Sequence, residues 1–278
     1  MRKLLRTLVF LSLGFWFLLV VVPVVWLAYS SFKTTDAIFA SPWRPPLSRH
    51  EATVENYTHA WGKSHVSGYF VNSLATVSSA LFGTLLLSAM AAYGLARLRV
   101  RGRRAVYYAF VAGMIVPAAL TLAPLFELLR SLHLLNSLTG LALVYVAFSI
   151  PFSVLMLYGF FASLPEEVRE AAVVDGASEW QTFWHIFLPM ARPGLVTVAI
   201  FNFLGMWNEY LLALVILVDP EKQTLQLGIA NMVVDLGYRC DWGTLLATMV
   251  LAMLPVLAIY AVLHKRVVEG MIMGAVKG

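Results

Sequence analysis

Charge is what this sequence has least of. Only 13% of its 278 residues are charged while 60% are apolar, and the mean hydropathy is +0.78. A soluble domain of this length needs more polar surface than that composition supplies, so the chain reads as a membrane protein. Cysteine is nearly absent. Cys240 stands alone, so no internal disulfide forms and the redox compartment is not readable from it. There is no G-x-x-x-x-G-K-[ST] loop, which excludes nucleotide hydrolysis by this chain on its own. His50, His59, His65, His133, His185 and His264 are scattered, without H-E-x-x-H or a Cys and His cluster, so no metal site is expected. G-x-S-x-G is missing too, and the apolar runs hold a single acid, Glu209, with no second carboxylate for acid and base work. A non-catalytic role is expected.

What the chain has in abundance is long apolar runs. Nearly uncharged stretches cover 8–30, 71–95, 105–126, 138–161, 195–218 and 244–263. Each is at least as long as the ~20 residues a helix needs to cross ~30 Å of hydrocarbon. The expected fold class is therefore all-α, polytopic, with six transmembrane helices. The net charge of +5 does not point to nucleic acid, because the positive residues sort by side of the membrane. With the N-terminus inside, the inner segments carry Arg2, Lys3, Arg6, Arg97, Arg99, Arg101, Arg103, Arg104, Arg169, Arg192, Lys265, Arg266 and Lys277, which is 13 of the 20 Lys and Arg. Five of these arginines fall in the short loop after the second run, where a positive-inside bias is most informative. Both termini are placed in the cytoplasm. The first run is too long for a signal peptide and no small-x-small cleavage site precedes Lys33, so it reads as an uncleaved span.

Between the fourth and fifth runs lies a patterned segment, 163–193, reading SLPEEVREAAVVDGASEWQTFWHIFLPMARP. Ser163 and Glu166 have capping-box spacing, Pro165 suits a first turn, and Glu166, Glu167 and Glu170 suit the positive end of a helix. Gly176 offers the left-handed conformation that ends a helix, and Ser178 with Gln181 forms a second capping box. The expectation is helix, tight turn, helix. On the second helix Trp180, Phe183, Trp184 and Phe187 recur at i, i+3, i+4 and i+7, giving one aromatic face. Such a segment suits either a loop lying on the membrane surface or a docking element for another protein.

One resemblance separates these two readings. Glu170, Ala171 and Ala172, three residues, Gly176, nine residues, then Ile186, Phe187, Leu188 and Pro189 resemble the coupling-loop signature of permease subunits of ATP-binding-cassette importers, with every fixed position and both spacings in agreement. The resemblance implies a type I importer permease fold in a bacterial or archaeal cytoplasmic membrane. It also implies a second permease subunit, two ATPase subunits that bind ATP and magnesium, and an extracytoplasmic solute-binding protein. In that reading Glu170, Ala171, Ala172, Asp175, Gly176, Ile186, Leu188 and Pro189 form the ATPase-coupling site. The loop acts as a lever, and Pro189 and Pro193 pass its motion to the fifth span. A secondary transporter would share the polytopic pattern but would work without ATP.

The remaining segments narrow the cargo. Ser30 to Lys33, Asn56-Tyr57 and Asn72-Ser73-Leu74 resemble the carbohydrate branch of these permeases, and so does Trp207-Asn208-Glu209-Tyr210. An acid inside a span is a functional candidate because its insertion is costly. Asn202, Gly205 and Glu209 are expected on one helical face with Ala213, and with Asn208 they are candidates for the substrate pathway, with a structural hydrogen bond as the equal alternative for Glu209. Ala75, Ser79 and Gly83 in the second span read as a helix-packing stripe. Pro117, Pro124, Pro151 and Pro255 are expected to kink their helices. Segment 31–68 is an external loop, 219–243 a second, solvated one, and 267–278 a cytoplasmic tail. Gly270 and Gly274, Ala275, Val276, Lys277 and Gly278 resemble the tail of MalG-like permeases, which implies contact between the ATPase subunits. A permease for a non-sugar solute is the alternative, because the loop reads the ATPase and not the cargo.

Overall fold

The chain is described by a computed structural model over residues 2–48, 50–239 and 241–275. In chain order its helices are α1 (Arg2–Ser30), α2 (Thr35–Ala40), α3 (Glu55–Thr58), α4 (Val66–Arg97), α5 (Arg103–Ile115), α6 (Ala118–Ser131), α7 (Leu138–Ser163), α8 (Glu166–Val174), α9 (Glu179–Met190), α10 (Arg192–Trp207), α11 (Leu211–Ile216), α12 (Leu225–Arg239) and α13 (Trp242–Ala275). Among the described residues, β-structure is limited to one bridge between Lys33 and Ala52. The fold is all-α.

Four stretches are long and apolar enough to cross a membrane as single helices: Leu5–Ser30, Val66–Arg97, Leu138–Ser163 and Trp242–Val262. The third expected span is broken. α5 and α6 meet at an angle of 101°, and Pro117 lies at the corner. Proline disfavours helical geometry in the residue before it, and Val116 is indeed extended, with φ −72° and ψ 114°. Pro124, Pro151 and Pro255 lie inside α6, α7 and α13, each of which runs on through its proline. The fifth expected span is also interrupted. α10 has 16 residues, a rise of ~24 Å, and ends at Asn208 before α11 begins. The region 219–243, expected as a solvated loop, contains α12, whose Leu225 and Leu227 are buried.

The residues pack as two units. The first comprises Met1–Phe70 and Gly228–Leu254. Most of α1 presents bare apolar side chains, Phe10, Phe15 and Phe17 among them. Its last turn anchors the segment that follows: Trp26 Nε1 donates to the Pro42 carbonyl at 2.8 Å and Tyr29 Oη to the Trp43 carbonyl at 2.9 Å. Lys33 is fully buried, with its ammonium donating to the carbonyls of Ser41 at 2.6 Å and Arg44 at 3.1 Å. Burial pulls its pKa below the ordinary lysine value, while Glu51 pulls the other way. Asn56 Nδ2 donates to the carbonyls of Ser31 and Lys33, each at 2.8 Å.

The second unit comprises Val71–Leu227 and Pro255–Gly278. Its core joins Ala89, Ala92 and Tyr93 of α4, Val154, Leu157 and Phe161 of α7, Phe183 and Phe187 of α9, and Val198 of α10. A Cβ on Gly83 would lie 3.2 Å from Cγ2 of Val146, so α4 comes close to α7 at that point, whereas Ala75 and Ser79 of the same stripe are exposed and line a cavity with Leu138, Ala142 and Val146 instead of packing against them. At the other end, Asn72 Nδ2 donates to the Glu221 and Gln223 carbonyls at 2.8 and 3.0 Å, and Ser73 Oγ accepts the Leu225 N–H at 2.7 Å.

Candidate functional site

The segment 163–193 folds as helix, turn, helix. α8 starts at Glu166 with Pro165 as its N-cap. The Ser163 and Glu166 capping box is not formed. Ser163 still belongs to α7, and its hydroxyl donates back to the Phe160 carbonyl at 2.7 Å. Glu166 is engaged by charge instead, accepting from Arg97 Nη1 at 2.6 Å and Arg169 Nη1 at 3.3 Å. Charge-assisted bonds are stronger than the neutral contact they replace. They hold the Glu166 carboxyl below its usual range, chiefly through the hydrogen bond from Arg97.

α8 ends as expected. Gly176 has φ +80°, the Gly176 N–H donates to the Val173 carbonyl at 3.0 Å, and the Ala177 N–H to the Ala172 carbonyl at 2.9 Å. This pair of bonds is a Schellman motif with glycine in its left-handed position. The second capping box is present: Ser178 Oγ accepts the Gln181 N–H at 3.3 Å and Gln181 Oε1 accepts the Ser178 N–H at 2.9 Å.

Two of the four aromatic residues of α9 face the protein. Phe183 and Phe187 are buried, and their ring centroids lie 5.2 and 5.3 Å from that of Tyr93. A π-type turn over Phe183–Phe187 widens the helix there, and Trp180 is left 58% exposed. Since α4 and α7 cover the two phenylalanines, α9 docks on its own chain. A polar chain closes over this packing. Arg169 donates to Glu166 and Glu179, Tyr93 Oη donates to Glu179 Oε2 at 2.9 Å, and Glu179 chiefly raises the Arg169 pKa. Sequence reasoning did not single out Glu179 or Tyr93, and it counted Arg97 and Arg169 only for their charge. Except for Arg169 and Glu166, which stand at i, i+3, the paired residues lie 10 to 86 positions apart, beyond any local spacing signal.

The signature residues divide by exposure. Glu170, Ala171, Asp175, Gly176 and Pro189 are exposed, Ile186 and Leu188 are half-buried, and Ala172 is buried, packing inward at the end of α8. Beside Glu170 and Asp175 stand Glu167, Val173 and Val174, the last 85% exposed. The projecting surface is acidic at its edges and apolar at its tip. Among the described residues no cluster of His, Cys, Asp and Glu is arranged to hold a metal ion.

The face expected for Asn202, Gly205, Glu209 and Ala213 is not continuous, because α10 ends before Glu209. Asn202 is buried, and its Nδ2 donates to Ser153 Oγ at 2.7 Å and the Val198 carbonyl at 3.0 Å. Glu209 lies in the break after α10. Its Oε1 accepts the Leu212 N–H at 2.6 Å, and its Oε2 accepts the Ala213 N–H at 3.2 Å and Tyr145 Oη at 2.8 Å. The carboxylate thus starts α11, so Ala213 does not continue the face of α10. Gly205 and Asn208 are exposed, with Asn208 Nδ2 bonded to the Leu204 carbonyl at 2.8 Å. In the tail, Gly274 and Ala275 belong to the last turn of α13, while Val276, Lys277 and Gly278 lie outside the described residues.

Comparison with known proteins places this geometry. The chain is 45% identical over 252 residues to the diacetylchitobiose uptake system permease protein NgcG of Streptomyces coelicolor, covering 91% of this chain and 82% of that one. It is 34% identical to the sulfoquinovosyl glycerol transport system permease protein SmoH of Agrobacterium fabrum, covering 92% and 88%. In fold it is similar to a chain of a bacterial ABC transporter involved in alginate import, with a TM-score of 0.81 at 22% identity over 95% of this chain and 96% of that one. Residues 83–272, which include the whole of α8 and α9, match the family described as binding-protein-dependent transport system inner membrane component. This chain belongs to that family.

Proposed function

We propose that this chain forms half of the translocation pathway of an ATP-driven importer for a carbohydrate delivered by an external solute-binding protein. A second permease subunit completes the pathway, and two ATPase subunits supply the energy, binding ATP and magnesium. Both termini lie in the cytoplasm, following the arginine bias of the loop after α4. The observation that carries the reading is the projecting surface of α8. Glu170 and Asp175 are free to meet basic groups while Val173 and Val174 are free to be buried, on a helix whose inner side is fixed by Ala172 and Arg169. Gly176 sets the turn and α9 returns the chain to the membrane. The carbohydrate class rests on the names of NgcG and SmoH.

Within the pathway, Gly205 and Asn208 line the route, exposed on α10 and in the turn that ends it. Asn202 and Glu209 hold the helices that shape it, since their polar atoms are already engaged by Ser153, Tyr145 and backbone groups. The test is uptake into proteoliposomes holding the full transporter, using labelled diacetylchitobiose, trehalose and an amino acid. ATP-dependent accumulation of a sugar, and only with the binding protein present, is the expected result. Uptake that persists without ATP would favour a gradient-driven carrier, and ATP-driven uptake of the amino acid alone would overturn the carbohydrate assignment.

A further inference from the structure

α7 ends at Ser163 and α8 begins at Glu166, and the two residues between them, Leu164 and Pro165, are both extended. Such a joint is a poor transmitter, because a helix pushed at α8 would swing about it and leave α7 in place. One side chain spans the joint. Arg97, the last residue of α4, donates from Nε to the Phe161 carbonyl at 3.0 Å and from Nη2 to the carbonyls of Phe161 and Leu164. Its Nη1 meets the Glu166 carboxylate on the far side at 2.6 Å. The guanidinium also stands 5.2 Å from the centre of the Phe187 ring, so α9 is gripped as well. The Arg97 side chain is only 7% exposed, although sequence alone counts it with the surface arginines of its loop.

The grip is closed into a ring. From Arg97 it runs through Glu166, Arg169 and Glu179 to Tyr93, which sits one helical turn before Arg97 on α4. Three of its links join elements, α4 to α8 through Arg97 and Glu166, α8 to α9 through Arg169 and Glu179, and α9 back to α4 through Glu179 and Tyr93, while Glu166 and Arg169 lie together on α8. The Arg97 bonds to the Phe161 carbonyl tie in α7. We propose that Arg97 is a positioning residue for energy coupling. It locks the coupling helix to the inner ends of the second and fourth spans, so that force on α8 reaches α4 and α7 directly and not only along the chain through Pro189 and Pro193. The proposal rests on the reading of α8 as the ATPase-docking helix and deepens it. The planar fork of arginine is what the site uses, since a lysine supplies the charge but cannot bridge two carbonyls and a carboxylate together.

The experiment compares wild type, Arg97→Ala, Arg97→Lys and Glu166→Gln in the complete reconstituted transporter, measuring sugar moved per ATP hydrolysed and recovery of the assembled complex. Arg97→Ala is expected to assemble and to hydrolyse ATP within about twofold of wild type while transport per ATP falls about tenfold, with Arg97→Lys and Glu166→Gln falling about threefold. A merely structural role would lower the amount of complex and leave the ratio alone. An unchanged ratio in Arg97→Ala overturns the proposal. If that variant does not assemble, unchanged ratios in both Arg97→Lys and Glu166→Gln overturn it instead. Wild-type uptake that needs no ATP would overturn the docking reading itself, whatever the variants do.

Discussion

The phenol of Tyr145 donates a 2.8 Å hydrogen bond to the Glu209 carboxylate, which joins α7 to the interruption between α10 and α11. The same carboxylate accepts the Leu212 and Ala213 N–H groups, which would otherwise lack partners at the start of α11. Replacing Glu209 by Ala strips all three donors of their acceptor and is expected to cost about 2–3 kcal/mol, whereas Tyr145→Phe removes one donor and costs about 1 kcal/mol. Thermal unfolding of the purified protein reads this order. A Glu209→Ala protein of wild-type stability with reduced uptake would return the residue to the substrate route.

Gly176 is a separate case, because its constraint is purely conformational. With φ at +80° and nothing within 4 Å of an added Cβ, a substitution there meets strain but no clash. Gly176→Asn is expected to cost least and Gly176→Val most, since a left-handed residue with a side chain costs roughly 1–2 kcal/mol and β-branching adds to it. The loss should show as a weaker ATPase complex on gel filtration in the order Gly, Asn, Val. Equal recovery of all three would mean that the turn is not needed for docking.

These cases show which features were legible in advance. Gly176 and the Ser178 and Gln181 box act within one turn of themselves, so spacing alone finds them. The same spacing at Ser163 and Glu166 fails because Arg97, 69 residues away, offers Glu166 a stronger bond. Hydropathy reads 195–218 as one helix, and it cannot see that Glu209 serves backbone N–H groups of a new one. Proline is equally ambiguous. Pro117 breaks its span while Pro124, Pro151 and Pro255 stay within theirs, and the residue type alone does not distinguish the two outcomes.

Gly194 tests the junction between the coupling segment and the fifth span. It is buried near the start of α10, and an added Cβ would lie 2.4 to 2.8 Å from atoms of the Phe160 ring on α7. The near atoms include the ring carbon that joins the side chain, which cannot swing clear as a flexible tip would. Gly194→Ala should therefore push α10 away from α7 at an expected cost of about 1–3 kcal/mol. A second substitution, Phe160→Leu, removes the obstruction and is expected to restore part of the loss. Melting temperatures of the two single variants and the double variant measure the coupling, and strict additivity would show that the helices do not meet there.

Acid should loosen the attachment of α8 in a defined direction. The hydrogen bond from Arg97, helped by Arg169, holds the Glu166 carboxyl below its ordinary value. A depressed carboxyl binds its proton less readily in the folded chain than in the unfolded one. Its contribution is therefore complete above the unfolded value of about 4.3 and is lost as pH falls through the lower folded value. The Glu166 side chain is 48% exposed, so water screens the pair and the contribution is small. The informative quantity is the difference in melting temperature between wild type and Glu166→Gln. It is expected to hold constant from pH 8 down to about 5 and to shrink toward zero below about 4. A difference that persists into acid would show that Glu166 acts through packing and not through its charge.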